Sequence, residues 1–148
     1  MKVCFDANTV IDIALKSASF DDSFIAYDIV SLRHDEALLP VQCTPVIEYV
    51  LHRRGLSKPK TRKIVASLGS LFTFMDVIGA DAARANESAL PDYEDALIAF
   101  AAERNGVDVI VSANVKDFKG GPVRTITPAE FVREYMPCDY DYASVALS

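Results

Sequence analysis

The sequence has 148 residues, of which 51% are hydrophobic and 24% are charged, a composition typical of one globular domain with a substantial core. No apolar run reaches the roughly 20 residues that span a membrane, and the first residues do not resemble a signal peptide. The net charge of −6 disfavours binding of nucleic acid by the whole surface. The three cysteines are too few and too widely spaced for a disulfide framework or a zinc site, so we expect a reducing cytoplasm.

The first half of the chain alternates short apolar runs with segments of helical periodicity. Strands are predicted at residues 2–5 and 37–41, and Pro40 indicates that the second is short or lies at an edge of the sheet. The first helix is predicted to have Asn8 or Thr9 as its cap and to end at residue 15. Thr44 is predicted to cap a later helix, and the other helices of this half are expected at residues 21–33, 44–55 and 57–71.

The second half repeats the alternation, with strands predicted at residues 72–77, 108–111 and 123–126 and helices at residues 81–86, 92–105 and 127–135. Strands that alternate with helices predict an α/β fold, in which helices flank a mostly parallel sheet of about five strands. We expect a single domain over residues 1–135. We expect the C-terminal tail, residues 136–148, to be loosely held or to pack on a partner.

Acidic side chains lie close to the predicted strand ends, where ligand sites of open α/β sheets form. Asp6 follows the first strand, Glu48 borders the apolar side of its helix, and Asp95 begins the apolar side of the helix at 92–105. Each acid also has an ordinary structural explanation, because acids cap helices and favour their first turns. That explanation applies to Asp6, to Glu48 and to the group Asp92, Glu94 and Asp95.

The acids carry more weight as a set than one at a time. Asp6, Glu48 and Asp95, together with either Asn114 or Asp117, come from four segments of the chain. Carboxylates that converge repel one another, and a divalent cation removes the repulsion. Ligands that are all oxygen atoms favour Mg²⁺ or Mn²⁺ over zinc. Such a site is suited to hydrolysis of a phosphodiester bond.

Four motifs resemble those of PIN domains, and the resemblance covers about residues 1–135. They are a strand followed by Asp6-Ala7-Asn8, the helical Glu48, Asp-Tyr-Glu-Asp-Ala-Leu at 92–97, and the stretch 110–118, which ends in Asn-Val-Lys-Asp-Phe. The resemblance implies a three-layer sandwich with a central sheet and the activity of a Mg²⁺- or Mn²⁺-dependent ribonuclease. Many bacterial PIN domains are toxins of VapBC-type pairs, so it also implies an antitoxin partner and a homodimer.

The resemblance also implies roles for individual residues. Asp6, Glu48 and Asp95 would be catalytic carboxylates that bind the metal, with Asp92 as a possible extra ligand. Many PIN domains have an acid where this chain has Asn114, a weaker ligand, so Asp117 would supply the fourth catalytic carboxylate unless Asn114 completes the site. The side chains expected to hydrogen-bond these ligands are those of Asn8 and Thr44, or Ser112 in place of Thr44.

Basic residues are concentrated between positions 53 and 63, where six of the fifteen Lys and Arg residues occur. We call them the basic cluster: Arg53, Arg54, Lys58, Lys60, Arg62 and Lys63. The cluster is either a solvated charged face or a surface that contacts RNA phosphates. For RNA binding we expect Arg53, Arg54, Lys58 and Lys60 to contribute, and an acidic antitoxin is an alternative occupant of the same surface.

Two other functions agree with parts of the sequence. Asp6-Ala7-Asn8-Thr9 is similar to the Asp-x-Asp-x-Thr motif of phosphatases in which the first Asp is the nucleophile. Asn8 cannot replace the general acid of that motif, because an amide does not exchange a proton in the required way. The second alternative is a PIN-like module that binds RNA or a protein without cleavage, and the neutral Asn114 favours it.

Overall fold

A parallel five-stranded sheet forms the centre of the computed structural model, which describes residues 1–140. Its strands are β1 Lys2–Phe5, β2 Glu36–Pro40, β3 Thr73–Met75, β4 Val109–Val111 and β5 Thr125–Ile126. They lie in the order β3-β2-β1-β4-β5, and each neighbouring pair is parallel. The prediction of a mostly parallel sheet of about five strands is confirmed.

Helices occupy most of the chain between the strands. They are α1 Ala7–Leu15, α2 Phe20–Leu32, α3 Cys43–Arg53, α4 Lys58–Leu71, α5 Gly79–Glu87, α6 Tyr93–Arg104 and α7 Pro128–Tyr135, with a 3-10 helix at Val115–Phe118. Helix α1 packs against α2 and α3, α2 also packs against α7, and α5 packs against α6. Thr127 caps α7, since its hydroxyl accepts a hydrogen bond from Glu130 N at 3.2 Å.

The central strands are buried on both faces. Val3, Cys4 and Phe5 of β1 are fully buried, as are the three residues of β4. Successive side chains of a strand point to opposite faces of the sheet, so burial of every residue requires cover on each side. The sheet with helices on both faces forms the three layers of the predicted PIN-like sandwich.

The register of β1 and β4 determines where the functional groups lie. The two strands are neighbours, with Phe5 opposite Val111. The next residues, Asp6 and Ser112, therefore leave the sheet side by side at its carboxyl edge. The backbone N–H of Asp6 donates to Val111 O at 3.0 Å and continues the ladder to this point. Residues that lie far apart in the sequence thus meet at one edge of the sheet.

Two predictions about the ends of helices are wrong. Helix α1 is capped by Asp6, whose Oδ1 accepts a hydrogen bond from Ala7 N at 2.7 Å, so Asn8 and Thr9 lie inside the first turn. Helix α3 begins at Cys43, which places Thr44 inside that helix rather than at its cap. Both helices therefore begin earlier in the sequence, and closer to the end of the preceding strand, than the capping pattern predicts.

The expectation that β2 is short or lies at an edge of the sheet is wrong. With five residues it is the longest of the five strands, and it lies between β1 and β3. Pro40 is the last residue of the strand, opposite Met75. The ladder beyond it is continued by Val41 N, which donates to Met75 O at 2.9 Å. A proline is therefore tolerated inside the sheet because it terminates the strand.

The remaining predictions concern the chain end, membranes and cysteines. Part of the expected tail, residues 141–148, lies outside the described residues, so the expectation of a loose or partner-bound tail stays a prediction. Within residues 1–140, no helix has both the length and the hydrophobicity to cross a bilayer. All three cysteines are free thiols, and Cys4 and Cys43 are buried while Cys138 is exposed.

Candidate functional site

Asp6 is held rigidly at the carboxyl end of β1. Its side chain is only 6% exposed. Oδ1 accepts from Ala7 N at 2.7 Å, while Oδ2 accepts from Asn8 Nδ2 at 2.9 Å and from Ser112 Oγ at 2.8 Å. Burial raises the pKa of the Asp6 carboxyl, these hydrogen bonds oppose the rise, and the negative charge of Asp92 adds to it. The contacts fix the direction in which Asp6 presents its charge.

Asp95 lies in the first turn of α6 and faces the same region. The backbone N–H of Asp95 donates to Oδ1 of Asp92, the cap of the helix, at 3.0 Å. The side chain of Asp95 is 7% exposed. Burial raises its pKa to about 7, and the largest contribution from a neighbouring charge is that of Asp6. Asp95 thus shares a poorly solvated site with other acids, and this raises its pKa above the ordinary value of an Asp.

Asn114 connects Asp95 to the loop after β4. Its Nδ2 donates to Oδ2 of Asp95 at 3.3 Å and also to Oδ2 of Asp117. The backbone N–H of Asn114 donates to Ser112 Oγ at 3.0 Å. The two candidates for the fourth ligand position, Asn114 and Asp117, are therefore in contact with each other.

These groups border an open cleft of about 250 Å³ at the carboxyl edge of the sheet. The residues that line it are Asp6, Ala7, Asn8, Ile11, Val46, Asp92, Glu94, Asp95 and Asn114. The cleft brings together Asp6, Asp92, Asp95 and Asn114 of the predicted ligands, with Asn8 beside them. Asp117 reaches the cleft through its contact with Asn114.

Glu94 is a lining residue that the sequence analysis did not assign to the site. Partial burial raises the pKa of Glu94, and the negative charges of Asp6 and Asp92 raise it further. In the sequence alone, the presence of Glu94 is explained by the preference for acids at the start of a helix. The signal that points to a site is the density of acids, three within four residues at 92–95, which exceeds what capping one helix requires.

Glu48 and Thr44 are oriented differently from expectation. Glu48 is half-buried on α3, and its Oε1 accepts from Thr61 Oγ1 of α4 at 3.5 Å, while Val46 provides the wall of the cleft on that helix. The Thr44 hydroxyl donates to Val41 O at 2.8 Å. The expectation that Thr44 hydrogen-bonds the acids is therefore corrected, and Ser112, its alternative, makes that contact with Asp6.

The donor set of the cleft fits Mg²⁺ or Mn²⁺. Among residues 1–140, no three acidic, His or Cys side chains form a ready-made metal cage. Mg²⁺ does not require one, since it commonly keeps several waters and binds one or two carboxylates. Asp6 and Asp95 supply two carboxylates whose pKa values are raised first by burial and then by the negative charges of neighbouring acids, so their charge is uncompensated in the cleft. A hydrated divalent cation is the species that would compensate it.

The basic cluster lies on the surface formed by the end of α3 and the start of α4. All six side chains are exposed, and none forms an ion pair with a residue in the range 1–140. Residues 49–75 contain no Asp or Glu, so the charged side chains of this segment are all basic. Arg53 lies over the exposed ring of Tyr49, with 5.8 Å between its Cζ and the ring centroid. An aromatic ring beside cations is a pattern that binds nucleic acid.

Comparisons with known proteins agree with this architecture. A family model described as "PIN domain" matches residues 2–116. A structural search finds similarity to a chain in the crystal structure of VapBC2 from Rickettsia felis bound to a DNA fragment from their promoter, with a TM-score of 0.63 and 15% identity over 86% of this chain and 98% of that one. No curated protein matches. Because the family model covers most of the sequence, the chain belongs to the PIN-domain family.

Proposed function

We propose that this protein is a Mg²⁺- or Mn²⁺-dependent endoribonuclease that cleaves RNA phosphodiester bonds at the Asp6–Asp95 cleft. The observation that carries the proposal is the burial of two carboxylates, Asp6 directly after β1 and Asp95 in α6, at the carboxyl edge of a PIN-domain sheet. A protein gains nothing in stability from like charges placed together. Their arrangement is explained when the cleft binds a cation and, through it, a phosphate.

The residues of the cleft have distinct roles in this proposal. Asp6 and Asp95 hold the cation, and Asn8 and Ser112 keep Asp6 in one orientation through their hydrogen bonds. When bound, Mg²⁺ or Mn²⁺ supplies activation of water and neutralises charge at the leaving oxygen. Asp92 and Glu94 lie at the open rim of the cleft, where their negative charges attract hydrated cations.

We further propose that Glu48 and Asp117 assist the site from its border. A single 3.5 Å hydrogen bond to Thr61 restrains the Glu48 carboxylate, which leaves this side chain free to turn towards a bound cation. Asp117 is held by Asn114 and acts on Asp95 through it. Family membership and the three hydrogen bonds that occupy Asp6 argue against the alternative in which Asp6 is a phosphatase nucleophile.

The basic cluster is proposed to bind the RNA backbone. Its exposed cations form no ion pair with a residue in the range 1–140, and α3, which ends in Arg53, also carries Val46 of the cleft wall. RNA bound there releases counterions, so its affinity depends on salt. The leading contributors are Arg53, Arg54, Lys58 and Lys60.

We predict that the double variant Arg53→Glu with Arg54→Glu lowers RNA affinity by about tenfold or more and flattens the salt dependence. The slope of log affinity against log salt should fall by about 1.4 for the loss of two phosphate contacts to a single strand. Fluorescence anisotropy with an RNA oligonucleotide measures both, in an Asp6→Asn background that prevents cleavage. Lys16→Glu with Arg133→Glu is the matched control, and equal effects of the two pairs would refute a specific surface.

A toxin role in a toxin–antitoxin pair is also proposed, with a small antitoxin as partner and a homodimer as the assembled form. The similarity to a chain of the Rickettsia felis VapBC2 complex supports it at the level of the fold. Light scattering of the purified protein should give twice the 16.2 kDa chain mass. A mass of one chain at all concentrations would contradict the homodimer.

The direct test of the proposed function is cleavage of a mixed RNA pool by the purified protein. We expect cleavage with Mn²⁺ or Mg²⁺ and none with EDTA, followed by recovery when excess metal is restored. Cleavage that persists in EDTA would refute the metal-dependent mechanism. Absence of cleavage together with retained RNA binding would favour the binding module that Asn114 suggested.

A further inference from the structure

The side chain of Asn114 occupies a position between two acids. Its amide nitrogen lies 3.3 Å from Oδ2 of Asp95 and also donates to Oδ2 of Asp117. Carboxylate oxygens accept hydrogen bonds, and of the two ends of an amide only the NH₂ group donates. The chemistry of the neighbours therefore requires the nitrogen to face them. One neutral group satisfies an oxygen atom of each acid.

The backbone around Asn114 keeps this bridge in place. The N–H of Asn114 donates to Ser112 Oγ at 3.0 Å, and the same hydroxyl donates to Asp6 at 2.8 Å. The carbonyl of Asn114 accepts from Asp117 N at 3.3 Å as the 3-10 helix begins. Asn114 is thus tied both to the loop that holds Asp117 and to the hydroxyl that orients Asp6.

We propose that the Asn114 amide takes the place of a second cation, so that the cleft binds one divalent ion per chain and Asp117 acts as a positioning residue for Asn114. The inference rests on the proposed metal-dependent function. An amide bridge occupies carboxylate oxygens that a second ion would need, and it supplies two N–H donors where a carboxylate would supply another negative charge. Asp6 and Asp95 remain as the carboxylates for a single ion.

The proposal predicts what Asn114→Asp does, a change that keeps the shape of the side chain. The new carboxylate meets Asp95 and Asp117, so the metal-free variant should melt at a lower temperature than the natural protein because of repulsion between like charges. The same carboxylate completes a second cation site. Saturating Mn²⁺ should therefore restore the melting temperature, and the variant should bind two ions per chain.

Isothermal titration with Mn²⁺, together with melting curves in EDTA and in Mn²⁺, tests the proposal without RNA. Asn86→Asp is the matched control, because Asn86 is exposed on α5 and the charge change is the same. One ion for the natural protein and two for Asn114→Asp are the expected result. Two ions in the natural protein, one in the variant, or a lower melting temperature that Mn²⁺ does not restore would overturn the proposal.

The outcomes also separate this inference from the proposed function. If the natural protein binds no Mn²⁺, the metal-dependent function and the inference both fail. If it binds one ion and the variant binds two, but neither cleaves RNA, the nuclease proposal fails while the role of Asn114 stands. Asp117→Ala provides a second check, since it removes the acceptor for the Asn114 amide and should weaken Mn²⁺ binding less than Asp95→Asn does.

Discussion

Asp6→Asn is expected to reduce RNA cleavage by on the order of 10³-fold or more while the protein remains folded. Asn has the shape of Asp but lacks the charge that holds a cation. Its amide also replaces one acceptor oxygen with a donor, at a position where Ala7 N, Asn8 Nδ2 and Ser112 Oγ all donate to Asp6. With the new nitrogen in place of Oδ2, the remaining oxygen still accepts from Ala7 N, the Ser112 hydroxyl can rotate and the Asn8 amide can flip, so we expect the fold to tolerate the change.

Cleavage rates of the variant and of Asp22→Asn, measured with the same RNA and metal, provide the comparison. Asp22 is exposed in the first turn of α2 and lies outside the cleft, so its substitution should leave the rate within about twofold of the natural protein. Circular dichroism verifies that both variants are folded. Full activity of folded Asp6→Asn would remove Asp6 from the mechanism and, with it, the proposed site.

The parts of the site that local patterns determine could be predicted from the sequence. Asp6 follows an apolar run that forms β1, and Asp95 begins the core-facing side of α6, which the structure buries through Ile98, Ala99 and Ala102. These assignments depend only on which residues are apolar and how they are spaced. The start of α6 after Asp92 and its end at Asn105 are predicted by the acid at the cap and by the Asn105-Gly106 stop signal.

The contacts between segments could not be predicted in the same way. Asp6 meets Ser112 because β1 and β4 are neighbours in parallel register, and strand order is a property of the whole sheet. The direction of Glu48 depends on how α3 packs against α4, where its Oε1 lies 3.5 Å from the Thr61 hydroxyl. Periodicity placed Glu48 at the border of the apolar side of α3, but it did not determine which neighbour the carboxylate faces.

The contact between Asn114 and Asp117 is another contact that the sequence alone does not predict. The sequence offered the two residues as alternatives for one ligand position. The 3-10 helix at Val115–Phe118 brings them into contact, and that short helix was not predicted because four residues carry too little periodicity to identify it. The alternatives therefore become two members of one hydrogen-bonded group.

Asp95→Asn is expected to stabilise the metal-free protein at pH 8 and to have little effect at pH 4. The pKa of Asp95 is about 7 in the folded protein, against an ordinary value of about 4 for an unfolded Asp. Between these values the folded state binds more protons than the unfolded state. The contribution of Asp95 to stability therefore falls as pH rises from about 4 to about 7, and above that range the full penalty of its charge is present.

The size of the effect follows from the environment of the carboxylate. A pKa difference of three units corresponds to about 4 kcal/mol, but the cleft is open and solvent screens part of the repulsion, so we expect a gain of about 1–2 kcal/mol at pH 8. Urea denaturation in EDTA at pH 4 and pH 8 measures the free energy of unfolding of both proteins. Asp108→Asn is the control. Asp108 directly precedes β4 and lies outside the cleft, and its Oδ2 accepts a hydrogen bond from the backbone N–H of Lys2 at 2.7 Å.

Metal reverses the expected order of stabilities. An ion that binds the folded protein and not the unfolded chain adds stability according to its concentration relative to its dissociation constant. Mn²⁺ should therefore stabilise the natural protein at pH 8 and should stabilise Asp95→Asn much less, because the variant lacks one of the two carboxylates that hold the ion. Equal stabilisation of both proteins by Mn²⁺ would show that Asp95 does not bind the cation, and a variant less stable than the natural protein in EDTA at pH 8 would show that the Asp95 charge is compensated within the fold.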